Sequence, residues 1–214
     1  MRVARALCGR FDVRKKKSAV SPDIYRIKVT LLGTEPPIWR RLLVPASLTL
    51  KELHGVLQVA MGWEDSHLHD FRIGQKRFGE PDPERTLMGG PGICAESTAR
   101  LIHVLGRAGA TAVYTYDFGD SWEHEIVVEE VLPPAAGQAY PVCVAGERHG
   151  PPEDCGGVPG YCHMLEAVTD PKHHAHEEMR DWLGDDFDPE AFSVDAVNRW
   201  LAPARRPRGK AYST

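Results

Sequence analysis

The sequence predicts an α+β fold: a mixed sheet in a β-grasp-like roll crossed by a helix, then a long Pro/Gly loop and a helical C-terminal third. Three observations predict it. Apolar and polar residues alternate with period two over several short stretches, one stretch of helical periodicity interrupts them, and the last third reads as amphipathic helices. With 214 residues, 42% hydrophobic and 26% charged, the composition is ordinary for a globular protein and sufficient for one sizeable core.

Ile24–Leu32 alternates as a half-buried strand does. The Gly33–Pro37 turn leads to a second strand, Ile38–Val44, closed by Pro45, and the pair reads as a hairpin. Thr49 and Glu52 have capping-box spacing, and Leu50, Leu53, Val56, Leu57, Ala60 and Met61 recur at helical intervals until Gly62. After a short WEDS segment comes a third strand, His67–Ile73. Residues 74–96 read as a long loop, and Ser97 opens a short helix that ends near Arg107. Ala112–Phe118 and Trp122–Leu132 form a predicted hairpin around Gly119-Asp120-Ser121. Residues 133–160 carry a dense run of prolines and glycines and read as a loop. Tyr161–Val168, His174–Leu183 and Ser193–Leu201 are the closing helices.

Four segments, PPIWRRLLVP at 36–45, WEDSHLHDF at 63–71, YTYDFGDSWEHEI at 114–126 and PPEDCGGVPGY at 151–161, together resemble the plasmid pRiA4b ORF-3-like family. FDPEAFSVDAVNRWL at 187–201 is similar to it as well. The resemblance spans about residues 24–201 and implies a compact α+β roll, with no activity to carry over. A transposon-resolvase role, which some members are given, does not suit these residues. The early serines Ser18 and Ser21 stand beside a lysine run, and the late Tyr212 lies in a basic tail.

The net charge of −4 is unevenly distributed. Residues 1–20 carry +6 and residues 203–214 carry +4, which leaves −14 for residues 21–202. From Asp117 to Asp195 there are 19 Asp/Glu against Arg148, Lys172 and Arg180. A surface of that sign repels phosphate backbones, so nucleic-acid contact is expected only through the basic runs at 14–17 and 205–210. The acidic 117–195 face is expected instead to suit a basic protein partner. The organisation expected is one domain, 21–202, between disordered basic tails at 1–20 and 203–214. No apolar run is of membrane-spanning or signal-peptide length, and five cysteines make no disulfide framework. A cytoplasmic, membrane-free protein is expected.

Candidate site residues are polar groups on the third strand, around the Gly119-Asp120-Ser121 turn and in the Pro/Gly-rich loop. His67 and His69, two apart on the predicted third strand, leave the same face, where two imidazoles can share one ion. Asp117, Asp120 and His124 gather around the tight turn, and Glu153 and Asp154 lie in the loop able to fold over them. Imidazoles mixed with carboxylates suit a divalent metal such as Zn, Mn or Mg, so His67, His69, Asp117, Asp120 and His124 are the metal candidates. Glu153 and Asp154 are the candidates for a base, and Trp63 and Trp122 for the pocket wall. Local turn chemistry accounts for Asp117 and Asp120 equally well. Cys143, Cys155, Cys162 and His163 lack the close-spaced pairs of a structural zinc site, and the cysteines read as buried free thiols. The role expected is a binding or interaction module with an acidic face and a His/Asp/Trp pocket. A metal-dependent hydrolase and a DNA-associated accessory protein of a mobile element are the alternatives.

Overall fold

Alternation along β1 (Ile24–Leu31) and β2 (Trp39–Pro45) gives the sheet one dry and one wet face. Tyr25, Ile27, Val29, Leu31, Leu42 and Val44 are buried, while Arg26, Lys28, Thr30 and Arg41 face outward. The computed structural model describes residues 23–81, 92–184 and 186–202. The remaining elements are α1 (Leu50–Met61), β3 (His69–Ile73), β4 (Lys76–Gly79), β5 (Cys94–Ala95), α2 (Leu101–Val104), β6 (Thr111–Tyr116) and β7 (Trp122–Leu132). They are followed by β8 (Val142–Glu147), α3 (Gly157–Thr169), α4 (His176–Leu183) and α5 (Val194–Leu201).

The strands form one eight-stranded mixed sheet in the order β5-β4-β3-β6-β7-β1-β2-β8. Every neighbouring pair is antiparallel except β4 and β5. The α+β class expected from the sequence is therefore the class observed. A bulge between Arg26 and Ile27 in the β1–β7 pairing turns Glu129 outward, where its carboxylate meets Arg41 at 2.7 Å and Arg26 at 3.2 Å.

Helix α1 forms where its caps say it should. Glu52 N–H donates to Thr49 Oγ1, Thr49 N–H donates to Glu52 Oε2, and Gly62 closes the helix at φ 88°. Leu50, Leu53, Val56, Leu57, Ala60 and Met61 are all buried in the core that also holds the inner face of the sheet. Roughly 2 kcal/mol of hydrophobic stabilisation attends each such buried side chain, set against the entropy of ordering it.

Several boundaries differ from the expectation, each for a local reason. The third strand begins at His69, not His67, because β6 ends at Tyr116 and Asp117 takes φ 53° to open the turn, leaving nothing for residue 67 to pair with. The segment read as a loop at 74–96 contains β4 and β5, and the Pro/Gly-rich 133–160 contains β8. β8 lies at the sheet edge with a neighbour only on the β2 side, and Pro141 just before it withholds no ladder donor. The helix expected after Ser97 is shortened to α2, and the one expected from His174 starts at His176. The tails at 1–20 and 203–214 lie outside the described residues, as does Cys8. No helix among the described residues is long and apolar enough to cross a membrane.

Candidate functional site

The loop between α1 and β3 is fastened to the loop before α3. Trp63 Nε1 donates to Pro151 O at 2.9 Å, and Glu64 N–H donates to Glu153 Oε1 at 3.0 Å. Tyr116, at the end of β6, ties both: its hydroxyl donates to Glu153 Oε1 at 2.9 Å and accepts from Ser66 N–H at 3.1 Å. Burial and the neighbouring Glu153 carboxylate push the Tyr116 hydroxyl up to about 12, so it stays a donor at neutral pH. Asp120 Oδ2 accepts from Gly156 N–H at 3.0 Å and so joins the β6–β7 turn to the same loop. Gly157, at φ 67°, approaches the Asp120 carbonyl so closely that a Cβ there would lie 2.6 Å from it.

This stitching gathers one cluster. His67 Nε2 stands 3.2 Å from Asp154 Oδ1 and 3.6 Å from Glu153 Oε2, and its Nδ1 stands 3.8 Å from Asp117 Oδ2. Donor atoms of His67, Asp117 and Asp154 all lie within 4.8 Å of one another. His67 Nε2 and Glu153 Oε2 are buried atoms with no hydrogen-bond partner among the described residues. Asp154 is near enough to His67 but off its N–H direction, so the contact is not a hydrogen bond.

A second cluster lies beside it, in a cleft of about 720 Å³ lined by His54, Asp65, His69 and Glu96 together with His67 of the first. His54 Nε2 is 2.7 Å from Asp65 Oδ1, and His69 Nε2 is 2.8 Å from Glu96 Oε2. Gln58 Nε2 donates to the Tyr114 hydroxyl, which in turn donates to His54 Nδ1 at 2.8 Å. Burial, with His69 alongside, lowers the His54 pKa and keeps that ring neutral with its proton on Nε2, directed at Asp65. No side-chain nitrogen or oxygen of this cluster is buried without a partner. In both clusters the aspartates take left-handed backbone, Asp65 at φ 59°, Asp117 at 53° and Asp154 at 57°, a region that aspartate enters more readily than most residues.

The residues expected from the sequence are thus partly gathered and partly dispersed. His67, Asp117, Glu153 and Asp154 meet. His69 does not join them, because its ring stacks on His54 and bonds Glu96. Asp120 is occupied by the Gly156 amide. His124 is 0% exposed and turned into the core, its Nδ1 3.0 Å from Trp122 O, and burial lowers its pKa to about 4. Trp63 and Trp122 are core residues behind the cleft, with Trp63 stacked on Tyr116 at 4.7 Å, and neither lines it. His54, Asp65 and Glu96 were missed. The signal for His54 was available: it and Gln58, one turn apart, interrupt the apolar face of α1.

The model of the plasmid pRiA4b ORF-3-like protein family matches residues 23–196, nearly the whole described sheet and its helices. The chain belongs to this family. Among pRiA4b ORF-3-like relatives, the uncharacterised protein y4hQ of Sinorhizobium fredii is 40% identical over 193 residues, covering 86% of this chain and 97% of that protein. The crystal structure of a protein of unknown function, MM3350 from Methanosarcina mazei, has the same fold. Its TM-score is 0.73 at 38% identity, over 81% of this chain and 97% of that one.

Proposed function

We propose that this pRiA4b ORF-3-like protein is a binding module that holds a divalent cation between His67, Asp117 and Asp154, with Glu153 beside them. The observation that carries this reading is the stance of His67 Nε2 and Glu153 Oε2. They are 3.6 Å apart, buried, and hydrogen-bonded to nothing among the described residues. Ligand atoms around a common ion each sit about 2.0–2.2 Å from it and point at it rather than at one another, which leaves them roughly 3–4 Å apart. The spacings of 3.2 and 3.6 Å at Nε2 fit that pattern. Asp117 offers a carboxylate oxygen within 4.8 Å of the donor atoms of both His67 and Asp154, within reach of the same ion.

A buried polar atom with no partner costs about 1–3 kcal/mol, and closely placed carboxylates repel one another, so a cation between them relieves both. One imidazole among carboxylates suits zinc or manganese, with water completing the shell. Metal-assisted hydrolysis would need this same ion, so cation uptake is the first test of either role. Protein stripped with chelator, dialysed and titrated with Zn²⁺, Mn²⁺ and Mg²⁺ should take up one equivalent of at least one of them, measured by calorimetry and elemental analysis. Asp154→Asn should lower that affinity at least about tenfold. Uptake of none, or unchanged uptake by Asp154→Asn, would remove the proposal.

A further inference from the structure

Arg40 is a buried cation without a counter-ion among the described residues. It stands on the inner face of β2 and is 2% exposed. Its Nε donates to Ala60 O at 2.8 Å, and Nη1 donates to Trp39 O at 2.9 Å and to Glu147 O at 2.7 Å. These carbonyls satisfy N–H groups but carry no formal charge. Nη2 makes no hydrogen bond to any described residue, and no described carboxylate lies within 4.0 Å of the guanidinium. Arg148 shows the usual arrangement by contrast. It is similarly buried, at 7%, and pairs with Glu190 at 2.7 Å. Burial lowers the Arg40 pKa to about 10, which leaves it charged at neutral pH.

A pocket of about 580 Å³ opens against this residue, between the C-terminal end of α1 and α5. Its other walls are largely apolar: Met61, Phe192, Ala196, Val197 and Trp200. The Phe192 ring lies 4.1 Å from the guanidinium carbon, and Trp200 is 56% exposed at the rim. An apolar lining with one fixed polar group is how proteins hold small amphipathic ligands. The pocket shares no residue with the cleft that contains His67.

We infer that this pocket binds a small amphipathic carboxylate, its anionic group against Arg40 Nη2 and its apolar body against Phe192, Val197 and Trp200. One unmatched charge and one free nitrogen suit a monoanion, and a charge-assisted bond made away from water is among the stronger polar contacts. The ligand supplies what the fold omits.

The test uses 2-naphthoate and its uncharged counterpart 2-naphthamide, titrated into full-length, chelator-treated protein by calorimetry and tryptophan fluorescence. Naphthoate should bind one-to-one and about tenfold or more tighter than the amide, the margin of a charged hydrogen bond. Arg40→Met should abolish that preference while leaving the amide unaffected. Because Arg40 also fastens α1 to β2 and β8, that variant is paired with Ala196→Glu on α5, which puts a carboxylate into the pocket. Ala196→Glu should melt as the wild type does and lose naphthoate about tenfold. Equal binding of the two probes, binding of neither, or full naphthoate binding by Ala196→Glu would overturn the inference.

Discussion

The imidazoles of His54 and His69 lie face to face, their centroids 3.5 Å apart and their planes 2° from parallel. An ion bound by both would have to lie in the plane of each ring, and parallel planes do not meet. Their outer nitrogens are also taken, by Asp65 and Glu96. Each ring of this pair is thus bonded to its own carboxylate, whereas His67 Nε2 and Glu153 Oε2 are bonded to nothing among the described residues.

The two clusters should therefore respond differently to substitution. His67→Ala is expected to lower cation affinity about a hundredfold, and His69→Ala to change it less than about threefold. Calorimetric titration of both variants with the same ion decides this. The reverse order would place the ion at His69 instead of His67.

Acid should destabilise the protein through His124. Its folded pKa of about 4 lies below the roughly 6.5 of an exposed imidazole, so between those values the unfolded chain binds the proton and the native one does not. The contribution is fully present above about pH 6.5 and fades as pH falls towards 4, a loss of about 3 kcal/mol, with His54 acting in the same direction. Urea unfolding midpoints followed from pH 7 to 4 should drop steeply in the wild type and less steeply in His124→Phe. An equal slope in both would locate the acid sensitivity elsewhere.

Two buried tyrosines should diverge on losing their hydroxyls. The Tyr114 hydroxyl joins Gln58 to His54, and Tyr114→Phe should cost about 1–3 kcal/mol by leaving those partners unmatched. The Tyr161 hydroxyl is buried with no partner among the described residues, and Tyr161→Phe should be neutral or stabilising by up to about 1 kcal/mol. Chemical denaturation of the pair is a direct comparison. A large loss in Tyr161→Phe would mean that its hydroxyl is engaged after all.

Gly157→Ala should damage fold and site together. The position has φ 67°, and the added Cβ would sit 2.6 Å from the Asp120 carbonyl, displacing the turn from the loop that bears Glu153 and Asp154. A stability loss of at least about 1–3 kcal/mol is expected, with weaker cation uptake even where the variant remains folded. Thermal melting and titration on one preparation separate the two effects.

The sheet was legible wherever period-two alternation ran for more than a few residues, as in β1, β2 and β7, and α1 was legible through Thr49, Glu52 and Gly62. Short strands were not. β4 has four residues and β5 two, too few to show a period, and β8 was hidden by the prolines and glycines on either side of it. The site was half legible for a related reason. His67, Asp117, Glu153 and Asp154 stood out as polar residues in turn-forming sequence. The separation of His67 from His69 depended on where a strand began, and the partnership of His69 depended on Glu96, a residue supplied from beyond a distant edge strand.

Asp117 follows directly on a strand in the middle of the sheet, whereas Glu153 and Asp154 arrive on a connecting segment held down by a few hydrogen bonds. One side of the site thus belongs to the sheet and the other to a loop. An ion that bridges the two should restrain the loop further, so occupancy and protection of residues 151–157 from hydrogen exchange should rise together. A partner that reads that segment would then sense the ion without touching it.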